Sequence, residues 1–197
     1  MSESPPPLPR RPAGFGWRTL AFVLDIIPLS FLAAFLAERF ADAEARAGRV
    51  ALEQWVSELV EAYTAALRNA QPQAVETLSA LALKVPETAA LWIIHLGITF
   101  TLTFALGWAL QEIFMAGRTA GKAVVNLRVI DVRTGEPPAV FSCLLRGAWK
   151  GIFCCFPNPL VSIVGLVSFH LPLFRKDGRS LHDLATFTQV IDSQDQR

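Results

Sequence analysis

The sequence predicts an all-α membrane protein: a small bundle of three or four transmembrane helices, a small cytoplasmic pair of β-strands and an extracytoplasmic helical loop. Hydrophobic residues make up 52% of the 197 residues and charged residues 18%, whereas soluble domains carry about 25% charged residues. Residues 88–110 and 151–174 contain no Asp, Glu, Lys or Arg, and a helix needs roughly 20 mostly apolar residues to cross a bilayer. The alternative, a large soluble helical domain, is disfavoured because its core helices would keep a polar face.

The apolar runs and the polar stretches between them predict the order of segments. Residues 1–13 form a Pro-rich leader that we expect to be disordered, residues 14–192 form the membrane domain, and 193–197 form a tail. The predicted membrane segments are about 17–40, 88–116, 142–156 and 160–174, with a loop inserted at 41–87. We expect the first segment to be retained rather than cleaved, because its leader is long and Asp25 interrupts its apolar run.

The number of crossings depends on the last hydrophobic region. One crossing would leave the basic residues that follow it outside the membrane, against the positive-inside rule. Two crossings, with a turn at Pro157-Asn158-Pro159, would return the chain end to the cytoplasm, although each arm is short for a full span. The sequence favours the hairpin, and so four segments, over three.

The inserted loop is acidic and rich in alanine. Leu52, Trp55, Leu59, Tyr63 and Leu67 recur at helical spacing, which predicts amphipathic helices broken near Gln71-Pro72 and ended near Pro86. This apolar stripe has three alternative partners: the loop itself, the membrane surface or another subunit. Basic residues are concentrated in 117–150, so the positive-inside rule predicts a cytoplasmic N-terminus and an extracytoplasmic loop.

Two β-like runs follow the second apolar helix. Residues 123–132 are rich in β-branched residues and lead into a turn at 134–138, and residues 185–191 form a second short run. A lone short strand is unstable. We therefore expect the two runs to pair with each other or to complete a small sheet.

Charged residues within the apolar segments are the candidate functional groups. Arg18 and Asp25 lie seven residues apart and so share a helix face, and Glu112 lies about one turn from the cytoplasmic end of the second helix. Arg146 and Lys150 enter from the third segment, which predicts a polar cluster in the cytoplasmic third of the bundle. In one interpretation Asp25 and Glu112 bind a cation or relay protons; in the other they pair with Arg18, Arg146 or Lys150 and fix how the helices pack.

Other motifs indicate neither a cofactor nor catalysis. The stretch from Gly117 to Lys122 lacks the spacing of a phosphate-binding loop and follows a helix rather than a strand. Asp183, next to His182, either caps a short helix or pairs with a basic residue of the 117–150 region, and no nucleophile accompanies the pair. The three cysteines fit neither a disulfide framework nor a zinc site. We expect no enzyme, no cofactor and no metal, and the net charge of +1 gives no case for nucleic acid.

Three separated motifs resemble the RDD family of membrane proteins. Residues 13–25 resemble the family's first helix, residues 117–122 (GRTAGK) its turn of the form G-x-T-x-G-K, and residues 181–188 (LHDLATFT) its terminal motif. The family is named for one arginine and two aspartates, and the resemblance places them at Arg18, Asp25 and Asp183. Arg146 falls where members often carry an arginine. The resemblance covers about 13–37 and 88–192 and leaves out the acidic loop.

The resemblance implies a multi-pass protein of the bacterial inner membrane, with transport or ion exchange suggested for some members. Our leading hypothesis is a transport-related protein with Asp25 and Glu112 as ion or proton sites and Arg18 as their electrostatic partner. Lys122, Arg146, His182 and Asp183 are further candidates, with Gly117 and Gly121 as structural turn residues. The alternative is a non-transporting accessory or scaffold protein that binds another membrane protein. The expected partners are the lipid bilayer and either a second copy of the chain or another membrane protein.

Overall fold

A computed structural model describes residues 11–69, 72–156 and 158–193, and most of them are helical. The elements in chain order are α1 (Phe15–Phe40), α2 (Ala43–Asn69), α3 (Pro72–Ala82), α4 (Glu87–Phe114), α5 (Ala120–Val124), β1 (Leu127–Asp131), α6 (Val140–Cys155), α7 (Pro159–His170), a 3-10 helix (Leu171–Leu173), α8 (Leu181–Ala185) and β2 (Thr188–Asp192). They form two compact units. One contains residues 34–99, and the other contains the chain up to Ala33 and from Phe100 onward.

Two helices of the described chain, α1 and α4, are long and apolar enough to cross a membrane. Only 28% of the most apolar stretch of each is buried, and large side chains such as Phe31 and Phe35 are exposed by 73% and 64%. Water disfavours apolar surface on this scale, and lipid does not. The helical class and two candidate spans are therefore confirmed. The predicted segments 142–156 and 160–174 correspond to α6 and to α7 with the 3-10 helix, and a total of three or four crossings stays a prediction.

The two predicted β-runs pair with each other. Strands β1 and β2 are antiparallel, with Val129 opposite Val190. Pro12 bridges to Ile191, and the backbone N–H of Ala13 donates to the carbonyl of Val190 at 3.0 Å. The structured chain thus begins before residue 14, because these backbone groups are satisfied at the edge of the sheet. The leader predicted for 1–13 is too long at its C-terminal end, and residues 1–10 of it lie outside the described residues.

Gly117 lies in the turn between α4 and α5. Its φ of +84° favours glycine, and a Cβ placed there would lie 2.4 Å from the carbonyl oxygen of Val129. The N–H of Val129 donates to the carbonyl of Gly117 at 2.8 Å. The turn therefore holds the middle of β1 close to the end of α4.

The unit of residues 34–99 contains the predicted amphipathic helices. α2 ends at Asn69 and α3 begins at Pro72, as the proline predicts; Gln71 lies outside the described residues. The indole N–H of Trp55 donates to the carbonyl of Leu81 in α3 at 3.1 Å. Of the predicted stripe, Leu52, Trp55 and Leu59 are partly buried, whereas Tyr63 and Leu67 are exposed. Leu52 packs against Ala41, Ala45 and Trp92, so packing within this unit accounts for one end of the stripe.

Candidate functional site: a buried charge network

Asp25 accepts two hydrogen bonds from the start of α5. The Thr119 hydroxyl donates to Asp25 Oδ2 at 2.5 Å, and the Gly121 backbone N–H donates to Oδ1 at 2.7 Å. Thr119 is also the N-cap of α5, where its Oγ1 accepts from the Lys122 N–H. A Cβ on Gly121 would lie 2.1 Å from the Ala21 carbonyl oxygen. Glycine here lets α5 approach the backbone of α1 closely enough for the carboxylate to reach its N–H groups.

Of the two interpretations of Asp25, the one in which it pairs with Arg18, Arg146 or Lys150 is wrong. Among the described residues, no cation forms an ion pair with Asp25. Arg18 instead donates to the carbonyls of Ala13 at 3.1 Å and Val190 at 3.0 Å. The physical reason is direction: long side chains on a helix lean toward its N-terminus, so Arg18 reaches away from Asp25, which lies two turns further along α1.

Glu112 lies at the centre of a cluster of cations. Lys122 Nζ is 2.5 Å and Lys150 Nζ 2.9 Å from its Oε1, and Arg146 Nε is 2.9 Å from its Oε2. The residue is 1% exposed. Its position two residues before the end of α4 brings it level with α5 and α6, which supply the three cations. Glu112 is therefore fully compensated by charge, unlike Asp25.

Arg146 connects Glu112 to the C-terminal motif. Its Nη1 donates to Asp183 Oδ1 and, at 2.5 Å, to Thr188 Oγ1, and the whole residue is buried. A guanidinium presents donors on several edges of one plane and so can hold two carboxylates at once. This one side chain links α4, α6, α8 and β2.

Asp183 both caps α8 and pairs with arginine, so the two alternatives from the sequence occur together. Its Oδ2 accepts from the Ser180 N–H at 3.1 Å and from the Ser180 hydroxyl at 2.7 Å, with Arg18 Nη1 at 3.4 Å. Burial alone would raise the pKa of Asp183, but the charges of Arg146 and other neighbours outweigh burial and hold the pKa well below its usual value. The carboxylate is therefore ionised throughout the neutral range.

The basic groups of the network that lie outside the predicted membrane segments include two with lowered pKa values, His182 and Lys122. Burial lowers the pKa of His182 to about 3, and the nearby charge of Asp183 offsets only part of that effect. Burial also lowers the pKa of Lys122 to about 8, partly opposed by Glu112. His182 is thus neutral at pH 7, with Ser180 Oγ within 3.2 Å of its ring nitrogens.

A cavity of about 90 Å³ adjoins the network. Aromatic side chains from α1, α6 and α7 form much of its wall, and charged side chains form the rest. Those charged residues are Arg18, Asp25, Lys122, Arg146, Lys150 and Asp183. In the part of the chain that the structure describes, no three His, Cys, Asp or Glu residues converge as a metal site would require.

The network includes three hydroxyl residues that the charge pattern did not identify: Thr119, Ser180 and Thr188. Neither the charge pattern nor the hydropathy of a sequence shows which hydroxyl group will contact a buried carboxylate. Thr119 and Thr188 do fall within the motifs at 117–122 and 181–188, and Ser180 is the residue immediately before the second motif, where an N-cap is expected. Their positions in or next to these motifs were therefore the one feature of the sequence that pointed to these hydroxyl residues.

The comparisons with known proteins agree with these motifs. The family model described as RDD family matches residues 12–186. No curated protein and no solved structure matches the chain. The matched range includes Arg18, Asp25 and Asp183, together with the whole of the inserted helical loop, and it covers most of the sequence. The chain belongs to the RDD family.

Proposed function

We propose that this RDD family protein moves ions or small solutes across a membrane, with Asp25 as the group that exchanges a proton or a cation. One observation carries the proposal. Of the three buried carboxylates in the described chain, Glu112 and Asp183 each form ion pairs, whereas Asp25 accepts only from a hydroxyl and a backbone N–H.

Exchange at Asp25 follows from the free energy of a buried charge. An ionised carboxylate inside a membrane protein is unfavourable unless a proton or a cation compensates it. Glu112 already has three cations within 2.9 Å, so a further cation would gain little there. Of the two acidic candidates from the sequence, Asp25 is therefore the one that supports exchange, and Glu112 is assigned to holding the helices together.

The proposed setting is a bacterial inner membrane with the N-terminus in the cytoplasm. The basic residues clustered in 117–150 support that orientation. The candidate spans are few, so a pathway lined by protein on all sides requires more than one copy, and the proposal includes a homo-oligomer. The function proposed is not catalytic.

Replacing Asp25 with Asn is expected to abolish ion flux. Asn keeps an oxygen that accepts from Gly121, and the Thr119 hydroxyl can accept from its amide, so the fold is preserved while the ionisable group is lost. Proton and sodium flux is measured in proteoliposomes with a pH-sensitive and a sodium-sensitive dye. Asp177→Asn, the same substitution at a loop carboxylate paired with Arg175, is the control and retains wild-type flux. Flux in Asp25→Asn equal to that of the control would remove Asp25 from this role.

A second candidate, an accessory protein that binds another membrane protein, is favoured by the surface of α2. Val56, Val60, Tyr63 and Leu67 are exposed by 45%, 56%, 53% and 67%, and their 4-3-4 spacing places them on one face of the helix. A contiguous apolar face of this kind is typical of a helix that packs against a partner.

A photo-crosslinking amino acid at Val60 separates the two candidates. The accessory function predicts one adduct of defined mass that contains a different membrane protein. The same crosslinker at Glu58, an exposed position on another face of α2, is expected to give none. An adduct with a second copy of the chain supports the homo-oligomer instead, and no adduct at Val60 rules out this surface as a docking site.

A further inference from the structure

The cavity beside the network is lined by one face of α6. Arg146, Trp149, Lys150 and Phe153 all contribute to its wall, and their spacing of three, four and seven residues places them on the same side of a helix. Every lining residue belongs to the unit formed by the chain up to Ala33 and from Phe100 onward. The cavity is therefore a feature of that unit alone.

Two buried N–H groups on this face have no acceptor. Within the described residues, Arg146 Nη2 and Trp149 Nε1 form no hydrogen bond. The other nitrogens of Arg146 are used: Nε donates to Glu112, and Nη1 to Asp183 and Thr188. Buried donors in proteins are nearly always satisfied. Two unsatisfied donors three residues apart, both on residues that line one cavity, indicate an acceptor that belongs there.

The charges around the cavity favour an anion as that acceptor. Four cations line it (Arg18, Lys122, Arg146 and Lys150) against two carboxylates. Both carboxylates already accept hydrogen bonds from the protein, Asp25 from α5 and Asp183 from Ser180 and the arginines. Glu112, behind this wall, pairs with Lys122, Arg146 and Lys150. Four cations therefore stand against three carboxylates in all, which leaves a net charge of +1, and an oxyanion accepts strongly from a guanidinium.

The volume of the cavity and the residues that line it limit the size and the chemistry of the ligand. A water occupies about 10–15 Å³ of such volume, so about 90 Å³ holds roughly six non-hydrogen atoms, enough for a carboxylate or phosphate group and little more. Phe15, Phe22, Phe153 and Phe169 supply the apolar part of the wall. Phe22 and Phe169 contact each other with ring centroids 5.1 Å apart.

We propose that this cavity binds an oxyanion, a carboxylate or phosphate group, through Arg146 Nη2 and Trp149 Nε1, with any apolar part of the ligand against the phenylalanine wall. The ligand is either a soluble anion or the head group of an anionic lipid, since α1 and α4 both border the cavity and both are candidate spans. Binding here goes beyond the proposed exchange at Asp25 and does not depend on it.

The test follows the Trp149 indole N–H by two-dimensional ¹H–¹⁵N NMR in detergent micelles. The chain has five tryptophans, and the Trp149 signal is identified by its loss in Trp149→Phe, or by elimination with the other four Trp→Phe variants should that one not fold. We expect this signal to move on titration with inorganic phosphate or butyrate, or on adding phosphatidylglycerol, while the signal of exposed Trp17 stays in place.

The variants then assign the binding groups and the ligand source. In the variants, binding is followed by the indole signal of Trp108, which also lines the cavity. Trp149→Phe is expected to weaken binding about fivefold, as for the loss of one hydrogen bond, and Lys150→Met to weaken it further, while Trp17→Phe leaves it unchanged. A response to phosphate or butyrate identifies a soluble anion, and a response to phosphatidylglycerol alone identifies a lipid head group. No movement of the Trp149 signal with any of the three probes in folded protein overturns the proposal. Ion flux is not the readout, so failure of exchange at Asp25 leaves this result intact.

Discussion

Arg146→Met is expected to destabilise the protein by about 3–5 kcal/mol, the usual result of removing one partner from a buried ion pair. The guanidinium is fully buried and holds Glu112 and Asp183 together. Methionine fills a similar volume but leaves Asp183 with Arg18 as its remaining arginine partner, at 3.4 Å. The free energy of unfolding is measured by denaturant titration in detergent micelles, followed by circular dichroism.

Two further variants show whether the effect comes from the buried network. Arg49→Met removes an exposed arginine that pairs with Glu38 and Glu53 at 2.5 and 2.8 Å, and its unfolding midpoint is expected to stay close to wild type because surface pairs stabilise little. Arg146→Lys is expected to recover only a small part of the loss, since an ammonium lacks the planar fork that reaches both carboxylates. Equal midpoints for Arg146→Met and Arg49→Met would show that the network does not stabilise the fold.

The elements of this fold were largely predictable because their signals are local. The uncharged run at 88–110 predicts a long apolar helix, and α4 covers it. The β-branched run at 123–132 contains β1, and the run at 185–191 overlaps β2. Each short strand needs a partner, and the chain offers these two runs, so their pairing follows from the sequence. The Pro72 boundary between α2 and α3 is predictable for the same reason: proline restricts its own position in a helix.

The partners within the network were less predictable because they depend on side-chain direction and on loops far apart in sequence. Sequence spacing correctly places Arg18 and Asp25 on one helix face, but the partners of Asp25 lie 94 and 96 residues away. They are a hydroxyl and a backbone N–H, which charge counting does not detect. The partners of Glu112 were easier to predict. Arg146 and Lys150 are charged residues in an otherwise apolar stretch, so each needs an opposite charge nearby.

Lowering the pH from 7 to 5 is expected to reduce the stability of the protein by about 2 kcal/mol through His182. The unfolded chain binds a proton at His182 near pH 6.5, whereas burial lowers the folded pKa to about 3. Between these values the unfolded state holds the extra proton, so stability is fully present above pH 6.5 and is lost as the pH falls toward 3. From pH 6.5 to pH 5 the pH falls by 1.5 units, and each unit changes the free energy of unfolding by about 1.36 kcal/mol, which gives about 2 kcal/mol.

His182→Gln isolates this contribution, because glutamine keeps a polar group near Ser180 and has no proton to gain. The difference in unfolding free energy between pH 7 and pH 5 is measured at constant salt for wild type, His182→Gln and the control His170→Gln, which changes a histidine on α7 that bonds to the Leu166 carbonyl. The pH dependence should be smaller by about 2 kcal/mol in His182→Gln and unchanged in the control. Protonation of Asp183 lowers the stability only at a pH below this range, since the folded pKa of Asp183 lies below the usual carboxylate value. An undiminished pH dependence in His182→Gln would mean that the imidazole takes up its proton without unfolding, and hence that it is hydrated in the folded protein rather than enclosed beside Ser180.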